Sequence, residues 1–258
     1  MSIKRLILLT PYSGFKVILK KTISSVIQQL GRNDIWIIVL DNQSVEQYID
    51  LKKKYKQLVF LRYTGPKGAG NCRNMGLDYI IREIIGKFLL LPFDGDDRIA
   101  QFGIKNIKKK MKNNSFNMIS LGHCKIWPNN KKKKISYSGI YNLRDLLKNY
   151  ITPCGSTVLK ISNKLILKKL RFSSRFRAND TLFFFLAVKH FKKFKCYPEI
   201  FLNYRIGNRN SLSGKKIKMI YYKFMSLKDF GLNNLSATFY TFLYIINGIR
   251  RYYLKQNI

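Results

Sequence analysis

The stretch Lys87-Phe88-Leu89-Leu90-Leu91-Pro92-Phe93-Asp94-Gly95-Asp96-Asp97 decides the fold. Its apolar run has the length of a strand, and the lack of alternation indicates a strand covered on both faces, as in a parallel sheet. Three carboxylates follow at once, in a chain with 13 acidic residues against 49 basic ones. Because ligands of open α/β sheets bind beyond the carboxyl ends of strands, Asp94, Asp96 and Asp97 are candidate ligand-binding residues.

The chemistry of this acidic loop has two interpretations. Closely spaced carboxylates repel one another unless a cation lies among them, and oxygen ligands of this kind suit Mg²⁺ or Mn²⁺. An Asp-Gly-Asp-Asp sequence is also typical of a solvent-exposed turn, because Asp and Gly are the commonest turn residues. From the loop alone, both a metal site and a simple turn remain open.

The residues before the acidic loop predict a doubly wound α/β fold. Strand-length apolar runs at 5–9, 35–40 and 58–63 alternate with helical spacing at 15–30 and 71–85. Parallel strands need helical crossovers, so this alternation predicts a mostly parallel sheet flanked by helices. The first strand is predicted to stop at Thr10-Pro11, a turn-like pair. Polar groups after the strands, including Asp41 and the Gly-rich loop at Gly68, would then share one edge of the sheet with the acids.

The second half of the chain is less regular. Helices are predicted at 104–111, 141–150 and 181–191, and strands at 118–127 and 157–161. The lysine run at 131–134 is expected to be a solvated loop or hairpin tip. Asp180 is one of two acids between Asp97 and Glu199. It is either a functional carboxylate or an acid favoured by the helix dipole in the first turn of a helix.

Composition limits the class of protein and its partners. A net charge of +36 implies an anionic partner, such as nucleic acid, phospholipid head groups or phosphorylated substrates, although a biased genome composition is an alternative cause. The four cysteines form no Cys-x-x-Cys pair, which argues against a zinc site or a disulfide framework and favours a reducing cytosol. No apolar run has the 18 to 20 residues of a membrane span. We therefore expect a cytoplasmic protein that is soluble or lies on a membrane surface.

The C-terminal segment, residues 215–258, is basic and contains a single acid, Asp229. Apolar residues at helical spacing alternate with lysines, as in amphipathic helices that bind anionic membrane surfaces. A helical cap that packs on its own domain has the same pattern. Both interpretations of this segment remain open.

Five segments together resemble the family 2 glycosyltransferases, inverting enzymes with a GT-A fold. The segments are 6–12, 25–29, 37–44, 68–77 and 94–97, and the likeness covers about residues 4–213. Asp94-Gly95-Asp96-Asp97 matches the Asp-x-Asp-Asp pattern of the family. The chain departs from the family at Asn42 and Gln43, which replace a second Asp and a Gly, and at Cys72, which replaces an Ala.

The resemblance implies roles for individual residues. Thr10, Pro11 and Asp41 would hold the base and ribose of a nucleotide sugar. Gly68 and Arg73 would lie near the donor, Asp94 and Asp96 would face the ribose and a Mg²⁺ or Mn²⁺ ion, and Arg205 with Ser211–Ser213 would close over the donor phosphates. Asp180 falls where the family has the catalytic base, in a Glu-Asp pair whose Glu is replaced by Asn179.

The implied function is metal-dependent, inverting transfer of a hexosyl or N-acetylhexosaminyl group from a nucleoside-diphosphate sugar, most simply a UDP-sugar, to an acceptor hydroxyl. The resemblance points to a glycan or glycolipid acceptor in bacterial surface polysaccharide or lipopolysaccharide assembly, at the inner face of the cytoplasmic membrane. The expected division is a glycosyltransferase domain at 1–214, with its nucleotide part at about 1–100 and its acceptor part at about 101–214, and a tail at 215–258.

Two alternatives come from other classes of protein. A nucleotidyltransferase of similar fold would also need a metal-binding acid pair, but it should carry a basic, Gly-rich signature after the first strand, and residues 10–14 contain no basic residue. A basic nucleic-acid-binding protein would explain the charge but not the acids at strand ends. No specific nucleic-acid partner is expected.

Overall fold

The computed structural model describes residues 5–149, 151–175, 179–205 and 216–253. The strands are β1 Leu6–Tyr12, β2 Ile35–Asp41, β3 Leu58–Tyr63, β4 Phe88–Pro92, β5 Arg98–Ile99, β6 Met118–Ile126, β7 Lys132–Ile135, β8 Gly139–Asn142, β9 Thr157–Ile161 and β10 Lys193–Arg205. The α-helices are α1 Lys16–Ile27, α2 Ile49–Lys54, α3 Ala69–Glu83, α4 Gly103–Lys112, α5 Leu143–Lys148, α6 Asp180–Phe191, α7 Lys216–Asp229 and α8 Asn234–Tyr253.

All ten strands belong to one mixed sheet in the order β3-β2-β1-β4-β9-β6-β10-β5, with β7 beside β6 and β8 beside β10. Strands β1 to β4 pair in parallel. Strand β9 runs antiparallel to both β4 and β6, so β6 and its parallel neighbour β10 point the same way as β4. The carboxyl ends of these six parallel strands therefore lie at one edge of the sheet.

Apolar side chains cover both faces of the sheet. One face packs against α3 and α6, through residues such as Leu77 and Phe183. The other face packs against α1 and α4, through residues such as Ile23 and Ile107. Strand β4 is buried along its whole length because it lies between these two layers. The predicted doubly wound α/β architecture is confirmed.

Four local predictions differ from the structure. Strand β1 does not stop at Thr10 but continues through Pro11 to Tyr12, because these residues stay in parallel register with β2. The lysine run at 131–134, predicted to be a solvated loop or hairpin tip, is exposed and lies in the β6–β7 hairpin, but residues 132–134 are paired in strand β7 rather than forming the tip. The predicted helix at 141–150 begins as strand β8 and becomes helical only at α5. The 13-residue strand β10 was not predicted, since Pro198 and Glu199 interrupt its apolar pattern.

The C-terminal segment forms two helices that pack on the rest of the chain. Leu227 of α7 and Ala237 of α8 are fully buried in the core that contains α6. Lys223 is also buried: its Nζ donates a hydrogen bond to the carbonyl of Leu146 at 3.2 Å and lies 4.5 Å from the ring centroid of Phe185. The described part of this segment is therefore a helical cap.

Candidate active site

The edge formed by the carboxyl ends of the parallel strands brings together most of the predicted site residues. Phe93, at the start of the acidic loop, donates its backbone N–H to the carbonyl of Leu9 at 2.9 Å, which places the loop beside the end of β1. Gly95 packs against β1 so closely that an added Cβ would lie 2.4 Å from the ring of Tyr12. A side chain at position 95 would push the acidic loop away from Tyr12, which explains the glycine.

Thr10 and Pro11 are strand residues rather than turn residues. Thr10 is fully buried, and its Oγ1 accepts a hydrogen bond from Nε1 of Trp36 at 2.8 Å. This bond fixes the indole in the sheet and uses the hydroxyl that was predicted to face the nucleotide. Pro11 is partly exposed at the edge. Nucleotide contacts of these two residues remain predictions, and Pro11 is the better placed of the pair.

Asp41 connects the end of β2 to the loop that begins α3. Its side chain is 7% exposed, and one carboxylate oxygen accepts the backbone N–H of Gly68 at 3.1 Å while the other accepts Nδ2 of Asn42 at 2.8 Å. Asn42 has a positive φ of 54°, a conformation that Asn tolerates better than most residues. The structure therefore brings together Asp41 and Gly68, which were predicted to share one edge of the sheet.

Helix α3 approaches its neighbours through glycine. A Cβ at Gly70 would lie 2.0 Å from the carbonyl oxygen of Ser173, and a Cβ at Gly76 would lie 2.2 Å from the side chain of Leu9. Because the Ser173 oxygen belongs to the backbone, it cannot move aside as a flexible side chain could. Gly70 therefore sets the distance between α3 and the segment that leads to Asp180.

We expect the Gly70→Ala variant to lose about 1–3 kcal/mol of unfolding free energy, because the added methyl group meets this backbone oxygen. Urea denaturation measures the loss. Gly248→Ala in α8 is the matched control: a Cβ there meets nothing within 4 Å, so alanine should be neutral or stabilising by about 0.5–1 kcal/mol. Equal stability of the two variants would contradict this account of Gly70.

Arg73 lies at the centre of the candidate site. Only 4% of it is exposed, and its guanidinium donates to Asp94 of the acidic loop and to Oδ1 of Asn179, 106 residues further along the chain. It also lies 3.5 Å from Sγ of Cys154 and 5.2 Å from the ring centroid of Phe172. One buried side chain therefore joins the acidic loop to the beginning of α6.

The electrostatics of Arg73 keep it charged. Burial by itself lowers its pKa, but the nearby Cys154, Asp94 and Asp180 raise it, and the net shift is upward. The same cluster acts on Cys154, whose pKa is raised well above its ordinary value, first by burial and also by Asp94 and Asp180, although Arg73 opposes the shift. The site thus combines a permanent cation with a thiol that stays protonated.

The three acids of the loop lie in different environments. The Asp94 side chain is 33% exposed and paired with Arg73, and Asp96 is exposed. Asp97 is 1% exposed and lies close to Gly155, where a Cβ would be 3.6 Å from its Oδ2. The structure therefore separates Asp97, which is part of the interior, from Asp94 and Asp96, which can reach a ligand.

The donor set at the loop fits a metal ion that is bound together with its substrate. Mg²⁺ commonly uses one or two protein carboxylates and completes its shell with substrate phosphates and water. Asp94 and Asp96 offer two such carboxylates at the sheet edge. No group of three or more His, Cys, Asp or Glu side chains in the described ranges is arranged to hold an ion by itself.

Asp180 is the first residue of α6 and is partly buried. Its charge raises the pKa values of both Arg73 and Cys154, so it belongs to the same cluster as Asp94. Asn179, which replaces the Glu of the family pattern, is 2% exposed and holds Arg73. Asn179 therefore positions Arg73, and Asp180 lies beside it in the first turn of α6. The role of Asp180 as the base stays a prediction.

Two predicted phosphate contacts remain beyond the described side chains. Arg205 is the last residue of β10, where its backbone pairs with Ile126, and Ser211–Ser213 lie outside the described residues. The backbone of β10 brings Arg205 to the same edge of the sheet as the acidic loop. Its contact with donor phosphates remains a prediction.

Three residues of the cluster escaped the sequence-based prediction. Cys154 and Asn179 touch Arg73, and Tyr12 packs on Gly95 with its hydroxyl donating to the carbonyl of Phe15 at 2.5 Å. Burial, and to a lesser degree Tyr48 and Asp96, raise the pKa of Tyr12 to about 12, so it stays neutral. Nothing in the local sequence marks Cys154, and Tyr12 was read only as part of the turn after the first strand.

Comparison with known proteins gives one relative in sequence. No protein-family model matches the chain. The curated "Uncharacterized glycosyltransferase MJ1057" of Methanocaldococcus jannaschii is 26% identical over 232 residues, which cover 86% of this chain and 77% of the relative.

Solved structures share the fold. S. aureus TarS 1-349 has a TM-score of 0.65 at 15% identity, over 94% of this chain and 71% of that chain. Its complex with UDP-GlcNAc has a TM-score of 0.67 at 14% identity, over 94% of this chain and 72% of that chain. The mannosyltransferase PcManGT from Pyrobaculum calidifontis, in complex with GDP-Man and Mn²⁺, has a TM-score of 0.62 at 12% identity, over 93% of this chain and 70% of that chain. The fold is thus that of glycosyltransferases, and with the curated relative it indicates an enzyme of this class.

Proposed function

We propose that the chain is a metal-dependent, inverting glycosyltransferase of the family 2 type, which moves a sugar from a nucleoside-diphosphate sugar to an acceptor hydroxyl. One observation carries the proposal: buried Arg73 binds both Asp94 and Asn179, so the acidic loop and Asp180 lie in one charged cluster. This shared cluster supports the proposal that Asp94 and Asp96 bind the donor and that Asp180 is the base. A simple Asp-Gly turn would not need a buried arginine.

The residues support a single displacement at the anomeric carbon. Asp180 takes the proton of the acceptor hydroxyl, whose oxygen forms the new bond to the anomeric carbon on the face opposite the departing diphosphate. Asp94 and Asp96 would hold Mg²⁺ or Mn²⁺, which would neutralise the charge that develops on the leaving diphosphate. Arg73 fixes Asp94 and the start of α6, so that both carboxylates keep their separation during the reaction.

The donor belongs to the class of nucleotide sugars. TarS was solved with UDP-GlcNAc, and PcManGT with GDP-Man and Mn²⁺, which supports this class of donor and a divalent ion. We propose a UDP-sugar as donor and a glycan or glycolipid of surface polysaccharide as acceptor. A nucleotidyltransferase would release pyrophosphate, whereas the proposed reaction releases a nucleoside diphosphate, so product analysis distinguishes the two.

Asp96→Ala should abolish the metal-dependent part of donor binding, because one of the two carboxylates that would bind the metal is removed. In the presence of Mn²⁺, the affinity for whichever nucleotide sugar the unaltered protein binds should fall at least about tenfold. Calorimetry against UDP-GlcNAc, GDP-mannose and related nucleotide sugars, with Mn²⁺ or with EDTA, measures the effect. Glu83→Ala removes an exposed acid from the end of α3 and is the matched control. Unchanged Mn²⁺-dependent binding by Asp96→Ala would refute its role.

We also propose that the C-terminal helices rest on an anionic membrane surface. Apolar side chains on α8 at helical spacing are exposed: Leu235 81%, Phe239 55%, Phe242 57% and Ile249 52%. The opposite, buried face of α8 holds the helix against the rest of the chain. The net positive charge of the chain would attract anionic lipid. No helix in the described part of the chain has the length and apolarity to cross a bilayer.

The triple variant Leu235→Ser, Phe239→Ser, Phe242→Ser should reduce binding to anionic vesicles at least about tenfold, since three apolar contacts are lost. Co-sedimentation with phosphatidylglycerol vesicles measures the change. The control replaces three exposed apolar residues elsewhere, Ile85, Ile140 and Leu165, by serine. Equal loss in both would mean that the face of α8 has no special role. Deletion of the tail is a poorer test, because it exposes the core around Leu227.

A further inference from the structure

Residues 171–175 form an irregular segment that connects helix α3 to the start of α6. Asn74 of α3 holds the segment at Phe172: its Nδ2 donates to the carbonyl of Phe172 at 3.0 Å, and its Oδ1 accepts the N–H of Phe172 at 2.9 Å. At the next residue, the N–H of Ser173 donates to the carbonyl of Asn179 at 3.2 Å. The segment therefore fixes the start of α6 relative to α3.

The C-terminal helices hold the same segment through one carboxylate, that of Asp229 at the end of α7. One of its oxygens accepts the hydroxyl of Ser173 at 3.1 Å, and the other accepts the guanidinium of Arg175 at 3.2 Å. The Ser173 hydroxyl in turn accepts the backbone N–H of Arg175 at 3.3 Å. Asp229 thus binds the segment at two residues that precede it by 56 and 54 positions.

Asp229 occupies a helix position that disfavours an acid. The C-terminal end of α7 carries the negative end of the helix dipole, so a carboxylate there needs compensating partners. Of the two partners, Arg175 has a side chain that is 71% exposed, and an ion pair of this kind contributes little. Ser173 is 3% exposed. The hydrogen bond from the buried Ser173 hydroxyl is therefore the more important of the two contacts.

Apolar contacts attach α7 to the rest of the chain independently of Asp229. Leu227 is fully buried, and the ring of Phe230 meets the ring of Phe185 edge-on, with 5.4 Å between the centroids. Nζ of Lys189 lies 5.3 Å from the ring centroid of Phe230. The helix can therefore dock without the carboxylate, and the effect of the carboxylate falls on the 171–175 segment.

We propose that Asp229 is a positioning residue for Asp180. Its carboxylate fixes the hydroxyl of Ser173, the backbone of Ser173 holds Asn179, and Asn179 is followed directly by Asp180. The proposal rests on the proposed function, in which Asp180 is the base, and extends the machinery to the C-terminal helices. A displacement of about 1 Å at a reacting group can lower a rate about 10²-fold, so a distant contact of this kind affects transfer.

Asp229→Ala should lower kcat for sugar transfer at least about tenfold, while Mn²⁺-dependent binding of the nucleotide sugar changes by less than about threefold. Asp229→Asn keeps an oxygen that accepts the Ser173 hydroxyl, so its kcat should stay within about threefold of the unaltered protein. Ser173→Ala removes the same hydrogen bond from the other side. Its combination with Asp229→Ala should be no slower than Asp229→Ala alone, and additive losses would overturn the proposal.

Ser226→Ala is the matched control, because Ser226 lies one turn before Asp229 in the same helix. Ser226 is fully buried, and its Oγ donates to the carbonyl of Tyr222 at 2.8 Å. Alanine removes this hydrogen bond from α7 without a change in the 171–175 segment, so kcat should stay within about twofold of the unaltered protein. Equal losses of kcat in Ser226→Ala and Asp229→Ala would mean that activity follows the stability of α7, and would overturn the proposal.

Backbone hydrogen exchange measures the positioning without any need for activity. The N–H groups of Phe172 and Ser173 are both hydrogen-bonded, and they should exchange at least about fivefold faster in Asp229→Ala than in Ser226→Ala. The N–H groups of α8 should exchange in Asp229→Ala as in the unaltered protein. Unchanged exchange at Ser173 would overturn the proposal. Faster exchange throughout α8 would also overturn it, because Asp229 would then only dock the helices.

The two readouts separate the failure of this inference from that of the proposed function. If the unaltered protein transfers sugar and Asp229→Ala keeps a normal kcat, the positioning role is wrong and the proposed function stands. If the unaltered protein binds and transfers no nucleotide sugar, the proposed function fails. The exchange at Ser173 then decides by itself whether Asp229 holds the segment.

Discussion

Asp180→Asn should lower the rate of sugar transfer about 10²- to 10⁴-fold, while binding of the nucleotide sugar changes by less than about threefold. The amide has nearly the shape of the carboxylate but cannot accept the proton of the acceptor hydroxyl. Transfer is followed by release of nucleoside diphosphate in the presence of acceptor, and donor binding by calorimetry. The effect should fall on kcat, because the interaction is made in the transition state.

The control for Asp180→Asn must also be an acid in the first turn of a helix. Asp145 meets this condition in α5, where it forms a capping box with Asn142. Asp145→Asn should cost some stability through the cap and the helix dipole but leave kcat unchanged. If both variants lose activity in proportion to their loss of stability, Asp180 is only a helix-terminal acid. Full transfer by Asp180→Asn would refute its role as the base.

Arg73→Met should lower the free energy of unfolding by about 2–4 kcal/mol and also abolish measurable transfer. Methionine fills part of the space but leaves Asp94 and Asn179 without the guanidinium that joins them. Breaking a fully buried ion pair costs about 3–5 kcal/mol, and we use a lower value because Asp94 is 33% exposed. Urea denaturation and the transfer assay measure the two effects.

Arg171→Met is the matched control. Like Arg73, Arg171 is paired with an aspartate, in this case Asp78 of α3. This second pair lies at the surface, where the Arg171 and Asp78 side chains are 33% and 51% exposed. Its loss should cost no more than about 1 kcal/mol. Arg73→Lys gives a second comparison: it keeps the charge, but a single ammonium group cannot reproduce the planar fork that joins two partners. Normal transfer by Arg73→Lys would show that the charge alone is sufficient.

The parallel half of the sheet could be predicted because its signal is local. Apolar runs without alternation predicted β2, β3 and β4, and helical spacing predicted α1 and α3. The predicted end of β1 was wrong. Thr10-Pro11 has the local propensity of a turn, but its pairing with β2 keeps this part of the chain extended. Strand β10 was missed because its middle part contains Pro198 and Glu199, and its place in the sheet depends on β6 and β5.

The candidate site was predictable only in part, for a related reason. Acids at strand ends can be recognised locally, and the family motifs indicated Arg73 and Asp180. The contact between Arg73 and Asn179 spans 106 residues and has no local signature. The sequence also groups Asp97 with its two neighbours, whereas burial beside Gly155 separates it from them. The roles of the individual residues in substrate binding stay predictions.

The position of β9 in the sheet has a consequence for how the protein folds. Strand β9, at Thr157–Ile161, lies between β4 and β6, so the sheet cannot close until more than half of the chain has been synthesised. The hydrogen bond between Arg73 and Asn179 can form only later, because Asn179 follows β9 in the chain. Contacts of such long sequence separation slow folding, because loop closure precedes any gain from the contact. We therefore expect the N-terminal half of the chain to become a stable, closed structure only after the later strands have left the ribosome.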